Sequence, residues 1–371
     1  MRHFVMAAIV LCVGVAGVSQ PAGPLMQCTF DADTDGWSCT KPNEQPAQVR
    51  DEQVTREGGG VLEHSYIAQP GDLSALAVST PRGLPGGKSV RFWLKTTAPA
   101  LMTSTLVEED GSRYVAMFTS MPGVWQEMKL SLGEHALTEG SQDENDRLDA
   151  WQVQAVMLAD VTAFFASAAV AAPFLEIPEL GPRKLWLDDF AVFETKVASR
   201  GETIEIDGVR AMRLESFETT TLQWQFYAGA GTEVSYDPSR AAHGDRSLVL
   251  RYDLPKGMIV AAATRLNGLH LKGTSRIRLS AVAEHRATLL VELRERDGTR
   301  YRATLSVPPG DELRALDVAV SDLNIAEGMR DENDRLDMRQ VVELTLAEIS
   351  GLGGEEPTVN ALWLDDIVFV K

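Results

Sequence analysis

The sequence is poor in cysteine, with only three among 371 residues, and Cys12 lies in the apolar run near the start. Removal of that run as a signal segment leaves Cys28 and Cys39. In an oxidising compartment an even pair is more often a disulfide than two free thiols, and we expect a Cys28–Cys39 bridge. Two cysteines without nearby histidines make a poor zinc site.

Basic residues are also scarce. The chain has 35 Lys and Arg against 53 Asp and Glu, a formal net charge of -18. This balance argues against a nucleic-acid partner and against binding to an anionic membrane surface.

Common hydrolase signatures are missing as well. None of the six histidines has His-Glu-x-x-His spacing, and no Gly-x-Ser-x-Gly nucleophile elbow occurs. We therefore expect a protein that is not an enzyme. Paired carboxylates abound in so acidic a chain, and a glycosidase remains a third alternative.

The apolar run at the start, Phe4 to Val18, is too short to span a bilayer comfortably. It follows Arg2 and His3, and Val15-Ala16-Gly17 supplies the small residues of a signal-peptidase site. We predict a signal peptide over residues 1–17 and an exported protein, periplasmic or extracellular, with no membrane contact after cleavage. A retained anchor is the alternative.

What the chain does contain is a duplication. Asp-Glu-Asn-Asp-Arg-Leu-Asp occurs at 143–149 and again at 331–337, and Leu-Trp-Leu-Asp-Asp at 185–189 and 362–366. Asp-Gly-Ser-Arg-Tyr at 110–114 answers Asp-Gly-Thr-Arg-Tyr at 297–301. Two blocks in the same order predict tandem modules.

The repeats set the domain boundaries. We predict module 1 over 27–195, a linker over 196–212 and module 2 over 213–371. Module 1 carries 11 extra residues between its two motifs, in the Ala- and Phe-rich stretch from Val161 to Gly181.

Inside each repeat, apolar and polar residues alternate. Val90, Phe92 and Leu94 alternate with Arg91, Trp93 and Lys95, a pattern typical of a strand with one buried face. Asp110-Gly111 and Asp297-Gly298 each lie between two such runs and predict hairpins. The predicted fold class is all-β, with two tandem jelly-roll β-sandwich domains. Four tryptophans recur at equivalent positions and are predicted to be core residues: Trp37, Trp186, Trp224 and Trp363.

The seven-residue motif does not fit an EF-hand loop, because Arg147 and Leu148 occupy the places of a ligand and the glycine. We interpret it as structural, with Asp149 and Gln152 forming a capping-box variant that begins one helical turn. Leu148 and Leu336 would then point into the core.

The Leu-Trp-Leu-Asp-Asp motif places two adjacent carboxylates in a strand at the end of each module. At least one must lie near the interior, where a bare charge is costly. A hard cation would neutralise it, and oxygen ligands favour calcium. Asp31 and Glu218 follow the first phenylalanine of each module and would complete such a site. The alternative is that these acids accept backbone hydrogen bonds or face water.

Taken together, these motifs resemble carbohydrate-binding modules with a galactose-binding-like jelly roll. The resemblance rests on Phe30 with Trp37, Phe217 with Trp224, the segment from Gly244 to Leu250, Leu-Asp-x-x-Gln-Val and the terminal Leu-Trp-Leu-Asp-Asp. It covers nearly all of module 2 and most of module 1.

The resemblance implies a structural calcium ion between the first and last strands of each module. It would pair Asp31 with Asp188 and Glu218 with Asp365, with Asp189 and Asp366 as the alternates. It also implies that glycans bind on an outward sheet face or in end loops.

Trp93 is the predicted glycan-binding residue, flanked by Arg91 and Lys95 on the outward face. The alternative is that the Val161–Gly181 insertion buries it. In module 2, Ser280 takes its place and six arginines face outward: Arg276, Arg278, Arg294, Arg296, Arg300 and Arg302. They would bind acidic groups, or pair across strands with Glu292 and other acids.

The sequence thus predicts an exported, non-catalytic protein that binds a carbohydrate or cell-envelope polymer. A structural or protein-interaction protein is the alternative, favoured if Phe164, Phe165 and Phe174 are exposed.

Overall fold

A computed structural model describes residues 23–51, 53–56, 59–138, 140–169, 180–197, 200–219, 221–227, 232–254, 256–266, 269–331, 334–353 and 358–371. The predicted signal segment over 1–17 lies outside them. No helix in the described ranges has the length and hydropathy of a membrane span.

The described residues of module 1 form twelve strands and one α-helix. The strands are β1 (Met26–Cys28), β2 (Ser38–Cys39), β3 (Ala47–Val49), β4 (Val61–Ala68), β5 (Ser74–Ser79), β6 (Ser89–Thr96), β7 (Ala100–Glu108), β8 (Arg113–Ser120), β9 (Gln126–Ser131), β10 (Ala136–Leu137), β11 (Val153–Asp160) and β12 (Gly181–Phe193). The helix is α1 (Thr162–Ala169).

These strands form two antiparallel sheets that face each other. Sheet A has the order β3-β4-β12-β6-β9, with β1 on β12, and sheet B has the order β10-β8-β7-β11-β5-β2. Their inner faces enclose one apolar core that includes Phe30, Phe92, Phe118 and Phe190. Module 1 is therefore a β-sandwich.

The described residues of module 2 form the other thirteen strands. They are β13 (Glu202–Ile206), β14 (Val209–Glu215), β15 (Gln225–Tyr227), β16 (Glu233–Asp237), β17 (Ser247–Leu254), β18 (Val260–Arg265), β19 (Arg276–Ala283), β20 (Ala287–Glu295), β21 (Arg300–Val307), β22 (Arg314–Ala319), β23 (Asn324–Ile325), β24 (Val341–Glu348) and β25 (Thr358–Val370).

Module 2 repeats the strand order of module 1. In sheet C, β25 lies between β17 and β19, and β16, β22 and β14 occupy the places of β3, β9 and β1. Sheet D has the order β15-β18-β24-β20-β21-β23, which matches sheet B strand for strand. The predicted fold, two tandem all-β jelly-roll sandwiches, is confirmed.

Local predictions hold where the alternation is regular. On β6, Phe92 and Leu94 are buried in the core, whereas Arg91, Trp93 and Lys95 lie on the outer face. Strands β7 and β8 pair across Asp110-Gly111, and β20 and β21 pair across Asp297-Gly298, as the hairpin signals predict.

The predicted linker over 196–212 needs correction. Residues 202–206 form β13, which pairs with β14 across the Asp207-Gly208 turn, and β14 begins at Val209. Module 2 therefore starts near Glu202, because this hairpin extends sheet C beyond β25.

The two modules pack directly against each other. The Thr119 backbone N–H of β8 donates to the Leu222 carbonyl at 2.8 Å, and the Lys129 N–H donates to Thr221 Oγ1 at 2.7 Å. Met121 of module 1 belongs to the core of module 2. The two modules thus contact each other through hydrogen bonds and through apolar packing.

The insertion of module 1 covers part of sheet B. Helix α1 begins beside β7, where Thr162 Oγ1 accepts the Leu101 N–H at 2.8 Å. Phe165 packs against Leu101, Met117 and Met157 on the outer face of sheet B. Residues 170–179, including Phe174, lie outside the described part.

Candidate functional site

A cleft lies where sheet B of module 1 meets sheet D of module 2. It contains a cavity of about 160 Å³. Module 1 contributes β8, Glu134 and Phe165, and module 2 contributes side chains of β15, β18 and β24. We call this the intermodule cleft; its polar lining residues are Glu134, Arg200, Gln223, Gln225, Tyr227, Thr264, Arg265 and Glu343.

Arg200 provides the main positive charge inside the cleft. Its Nη1 donates to Gln223 Oε1 at 3.1 Å and to the Arg265 carbonyl at 3.3 Å. Its Nε and Nη2 are buried and have no acceptor within the described residues. Burial lowers the pKa of Arg200, and the nearby Glu215 and Glu134 oppose this effect. The guanidinium therefore keeps two buried donors without an acceptor among the described residues, which is uncommon for buried polar groups.

Glu134 ties both modules to the same cleft. Its Oε2 accepts from Gln223 Nε2 at 2.9 Å, and its Oε1 accepts the Arg200 backbone N–H at 3.3 Å. The carboxylate also accepts the Ser131 N–H at 3.0 Å in the turn after β9. These contacts fix the cleft wall by hydrogen bonds from both sides of the boundary.

Tyr227 of β15 also lines the cleft. Burial raises the pKa of Tyr227 to about 12, with a further contribution from Glu343, so its hydroxyl stays protonated near neutral pH. On the adjacent strands Arg294 binds Glu343 through two hydrogen bonds, at 3.2 and 2.9 Å. A ring, a hydroxyl and fixed charges thus lie along one continuous surface.

The arginines predicted in module 2 mostly pair with acids. Besides Arg294, Arg300 bonds Glu292 at 3.2 Å, and Arg278 bonds Asp317 at 3.0 Å. Arg276 lies within 3.8 Å of Asp207. The cross-strand alternative is therefore the one that the structure supports for these four residues, whereas Arg296 lines a second groove.

This second groove, of about 540 Å³, lies on the other side of Leu269 at the same boundary. It brings Asp146 and Arg147 of the seven-residue motif next to Arg296 and Arg339 of module 2. One copy of the repeated motif therefore forms part of the intermodule boundary.

The predicted Trp93 surface also exists. Trp93 is half-buried on the outer face of sheet A, and the Arg56 guanidinium stacks on its ring at 4.4 Å. Arg91 lies over Phe193 at 4.4 Å, and Lys95 over Trp186 at 5.6 Å. The cover comes from Arg56 rather than from the insertion, whose described part packs on sheet B.

Two of the four tryptophans predicted as core lie on outer faces instead. Trp37 and Trp224 are in the sandwich cores, but Trp186 stands between the inward Leu185 and Leu187, and its Nε1 donates to Glu63 at 2.8 Å. Trp363 likewise donates to Asp237 at 2.8 Å and lies under Arg240. Their burial comes from side chains of neighbouring strands, which parity along one strand does not reveal.

Trp151 is an aromatic residue that the sequence analysis did not single out. It is 62% exposed, in the 3₁₀ turn Ala150–Gln152 that follows the seven-residue motif. Its exposure stands out against the other six tryptophans, all buried or half-buried. Trp151 follows a turn-forming motif and does not belong to an alternating strand, and this position in the sequence could have predicted its exposure.

The two acids of each Leu-Trp-Leu-Asp-Asp motif take different roles. The first is buried, at 7% exposure for Asp188 and 0% for Asp365, while Asp189 and Asp366 adopt positive φ angles at β-bulges. Burial, together with the charge of Asp189, raises the pKa of Asp188 to about 6, and burial also raises the pKa of Asp365.

These acids are bound by protein donors. Asp365 Oδ2 accepts the backbone N–H groups of Ala242 and His243 at 2.7 and 2.9 Å. Asp366 bonds Arg213 Nε at 2.7 Å, and Arg56 contacts both Asp188 and Asp189. The donor set around them fits the backbone hydrogen-bonding alternative, and calcium at these residues stays a prediction.

Asp31 and Glu218 perform one structural task in both modules. Asp31 Oδ1 accepts the N–H of Gly60, just before β4, and Glu218 Oε1 accepts the N–H of Arg246, just before β17. Gly244 has a φ of +73°, and a Cβ there would lie 2.3 Å from the Glu218 carboxyl carbon. Glycine is therefore required where this acid meets the loop.

Two motifs that seemed separate in sequence meet in space. Glu108, Asp110 and Asp143 gather carboxylate oxygens within 4.8 Å of one another, and Glu295, Asp297 and Asp331 do the same in module 2. Tyr301 donates to Asp331 at 2.6 Å, and Tyr114 donates to Asp143. The available signal was the similar spacing of the Asp-Gly and seven-residue motifs, 33 residues from Asp110 to Asp143 and 34 from Asp297 to Asp331.

The predicted capping box is replaced by a longer-range contact. A 3₁₀ turn does follow Asp149, but the side chain that accepts the Asp149 N–H is the buried Glu108. Glu295 accepts the Asp337 N–H at 2.6 Å in the same way. Leu148 and Leu336 pack against the cores as predicted.

The predicted Cys28–Cys39 disulfide is wrong for this structure, in which both cysteines are free thiols. Cys28 lies in β1 of sheet A and Cys39 in β2 of sheet B. Cys39 faces Glu44, His64 and Ser74. Whether the two cysteines can form a disulfide depends on the sheets in which they lie, and not on their spacing along the chain.

Comparison with known proteins gives matches among solved structures only. No protein-family profile and no curated protein matches the sequence. Among solved structures, the family 11 carbohydrate-binding module of a cellulosomal cellulase of Clostridium thermocellum is 12% identical, with a TM-score of 0.35 over 46% of this chain and 96% of that one. The same module with a β-1,3-1,4-mixed-linked tetrasaccharide gives 12%, a TM-score of 0.34, 47% and 97%.

A tandem of two family 22 modules from a Paenibacillus barcinonensis protein is 11% identical, with a TM-score of 0.30. It covers 96% of this chain and 100% of its own. These structures are carbohydrate-binding modules, the class that the sequence motifs resemble.

Proposed function

We propose that this protein binds a carbohydrate or cell-envelope polymer, without catalysis, in the intermodule cleft. The observation that carries the proposal is Arg200, which lines a cavity that also contains amide and phenol groups and whose Nε and Nη2 have no acceptor within the described residues. Leaving such donors unpaired is costly, and a ligand rich in hydroxyl or carboxylate oxygens would satisfy them.

The lining of the cleft suits a sugar in two further ways. Tyr227 and Phe165 offer ring surfaces, and Gln223, Gln225 and Arg265 offer hydrogen-bonding groups around them. Pockets of this mixed kind fix a ligand by apolar contact and orient it by a few polar groups.

The carboxylates of the cleft support binding rather than catalysis. Glu134 accepts three hydrogen bonds from Ser131, Arg200 and Gln223, and Glu343 is held by both arms of Arg294. A glycosidase acid must be free to donate a proton to its substrate. Export of the protein remains part of the proposal and rests on the signal segment.

A protein-interaction role is the second candidate. Phe164 on α1 is 54% exposed beside the boundary-facing Phe165. An exposed apolar side chain next to a cleft is a feature of partner surfaces.

The test uses the full chain without its signal segment, in affinity electrophoresis against neutral and acidic polysaccharides. We expect at least one polysaccharide to retard the wild type, and Tyr227→Ala and Arg265→Ala to weaken this at least about tenfold. Arg314→Ala is the matched control, an exposed arginine of sheet C far from the cleft in the fold. Equal retardation of all variants, or none of the wild type by any polysaccharide, would contradict the proposal.

Structural calcium at Asp31 with Asp188 and at Glu218 with Asp365 is proposed separately from the glycan site. Calcium would bind the folded state only and raise the melting temperature by mass action. Calorimetry in calcium and in chelator measures this, and identical melting in both would reject the calcium site.

A further inference from the structure

A second group of reactive side chains lies at the other end of module 1, inside the sandwich. Cys39 of β2 and Ser74 of β5 come from sheet B, His64 of β4 comes from sheet A, and Glu44 reaches in from the loop after β2. His64 is 2% exposed and Ser74 6%, while Cys39 and Glu44 are partly exposed. We call these four residues the Cys39 cluster. It is closed on the core side and reachable from solvent past Glu44.

Three different donor atoms form a nearly equilateral triangle. Cys39 Sγ lies 3.7 Å from Glu44 Oε2 and 3.9 Å from His64 Nε2, and Nε2 lies 3.9 Å from Oε2. The centre of this triangle is about 2.2 Å from each atom, close to the zinc–sulfur, zinc–nitrogen and zinc–oxygen bond lengths of proteins. In a zinc tetrahedron with those bond lengths, neighbouring ligand atoms are about 3.3–3.6 Å apart. The three atoms therefore need to move closer together by only a few tenths of an ångström to bind zinc.

Ser74 adds a fourth oxygen to the same centre. Its Oγ lies 2.6 Å from His64 Nε2, 2.5 Å from Glu44 Oε2 and 3.9 Å from Cys39 Sγ. These distances also place it about 2.1 Å from the centre of the triangle, within bonding range of a metal. The hydroxyl bridges the imidazole and carboxylate here, and it can serve as a weak fourth ligand or yield to water.

The orientation of His64 distinguishes a metal site from a catalytic triad. In a nucleophile–histidine–acid triad, the nucleophile and the acid contact opposite nitrogens of the ring. Here the thiol and the carboxylate both face Nε2, and the buried Nδ1 has no partner within the described residues. Nε2, on which the thiol, the carboxylate and the Ser74 hydroxyl converge, is therefore the ring nitrogen that would bind a metal.

Module 2 has apolar residues at the positions equivalent to Cys39, His64 and Ser74. The strand register puts Phe226 where Cys39 lies, Leu250 where His64 lies and Val260 where Ser74 lies. All three belong to, or pack against, the apolar core of module 2. The sandwich is therefore complete with apolar side chains there, and module 1 instead collects a thiol, an imidazole and a hydroxyl around one point.

We propose that Cys39, Glu44 and His64 bind one zinc ion, with Ser74 or water in the fourth position. A thiolate, an imidazole and a carboxylate together select zinc over hard cations such as calcium or magnesium. The thiolate and Glu44 balance the charge of the ion, and Lys41, which pairs with Asp72, contacts only the other oxygen of Glu44, Oε1, at 3.4 Å. Binding releases the proton of the Cys39 thiol.

The test uses the full chain after metal removal under reducing conditions, titrated with Zn²⁺ by calorimetry. We expect one zinc per chain, no comparable heat from Ca²⁺ or Mg²⁺, and a higher melting temperature. Cys39→Ser and His64→Leu, the latter taking the residue of module 2, should each weaken zinc binding at least about tenfold. Cys28→Ala is the matched control. The buried Cys28 thiol lies on the other sheet, so this variant should bind zinc as the wild type does.

Two readouts do not depend on the folding of a variant. Zinc should protect Cys39, but not Cys28, from alkylation under partial denaturation, followed by mass spectrometry of the wild type. Cobalt should give a thiolate-to-metal absorption band in the wild type. No zinc binding by the wild type, or equal binding by Cys39→Ser, His64→Leu and Cys28→Ala, would overturn the proposal.

Discussion

The two modules share their strand order but use it differently, and the comparison separates what the fold requires from what has been added. Shared contacts recur in both copies: a buried glutamate, Glu108 or Glu295, accepts the N–H that opens the turn after the seven-residue motif. Asp31 and Glu218 hold the residues before β4 and β17 in the same way. These repeated contacts hold the loops to the sandwich.

The differences concern sites rather than the framework. Module 1 has the Cys39 cluster where module 2 has Phe226, Leu250 and Val260, and it has Trp93 where module 2 has Ser280. Both modules fold with the shared framework. Positions that differ between the two modules are therefore the places to look for specific chemistry.

The largest effect should come from a buried ion pair present in module 1 alone. Arg183 Nη1 bonds Asp160 Oδ2 at 2.8 Å, with both side chains at most 3% exposed. At the equivalent place module 2 has Asn360, which bonds the backbone of His285. Arg183→Met should cost about 3–5 kcal/mol of unfolding free energy because it strands a buried carboxylate.

Asn360→Ala, the counterpart in module 2, should cost only about 1–3 kcal/mol of unfolding free energy, because this change leaves no buried charge without its partner. Urea unfolding of both variants measures the contrast. Equal losses would mean that the buried pair does not distinguish the modules.

A pH dependence should follow from Asp188. Its pKa of about 6 in the folded state exceeds the ordinary 3.8, so the folded protein keeps a proton that the unfolded chain releases. Stability should therefore fall as pH rises from about 4 to about 6, by up to about 3 kcal/mol. Asp188→Asn should flatten this part of the curve, measured by thermal unfolding across pH. Parallel curves for variant and wild type would reject the assignment.

A smaller and equal effect is expected from the shared tyrosines. Tyr114 donates to Asp143, and Tyr301 donates to Asp331. Tyr114→Phe and Tyr301→Phe should each cost about 2 kcal/mol, the range for a hydrogen bond to a charged group. Chemical denaturation of the two variants checks the equivalence, and a loss confined to one module would break it.

The framework was readable from the sequence because its signals are local. Alternation around Phe92, the Asp-Gly turns and the duplicated motifs are enough to predict tandem β-sandwiches. The Asp207-Gly208 turn carries the same signal, but its first strand, β13, has no counterpart among the described strands of module 1, and the repeats therefore predict a linker there.

The sites were less predictable, since they depend on contacts between distant strands. Cys39 and Ser74 are 35 residues apart, and no spacing rule links them to His64. Parity placed Trp93 on the outer face, yet it does not predict that Arg56 stacks on the ring. Arg200 acquires its role only because the two modules meet around it.

The most direct test of the account is quantitative polysaccharide binding by Tyr227→Ala and Trp93→Ala, side by side with the wild type. If the intermodule cleft is the glycan site, Tyr227→Ala should lose at least about tenfold in affinity, while Trp93→Ala should stay within about twofold of the wild type. Loss of binding in Trp93→Ala with Tyr227→Ala unchanged would contradict the account and assign recognition to the outer face of sheet A.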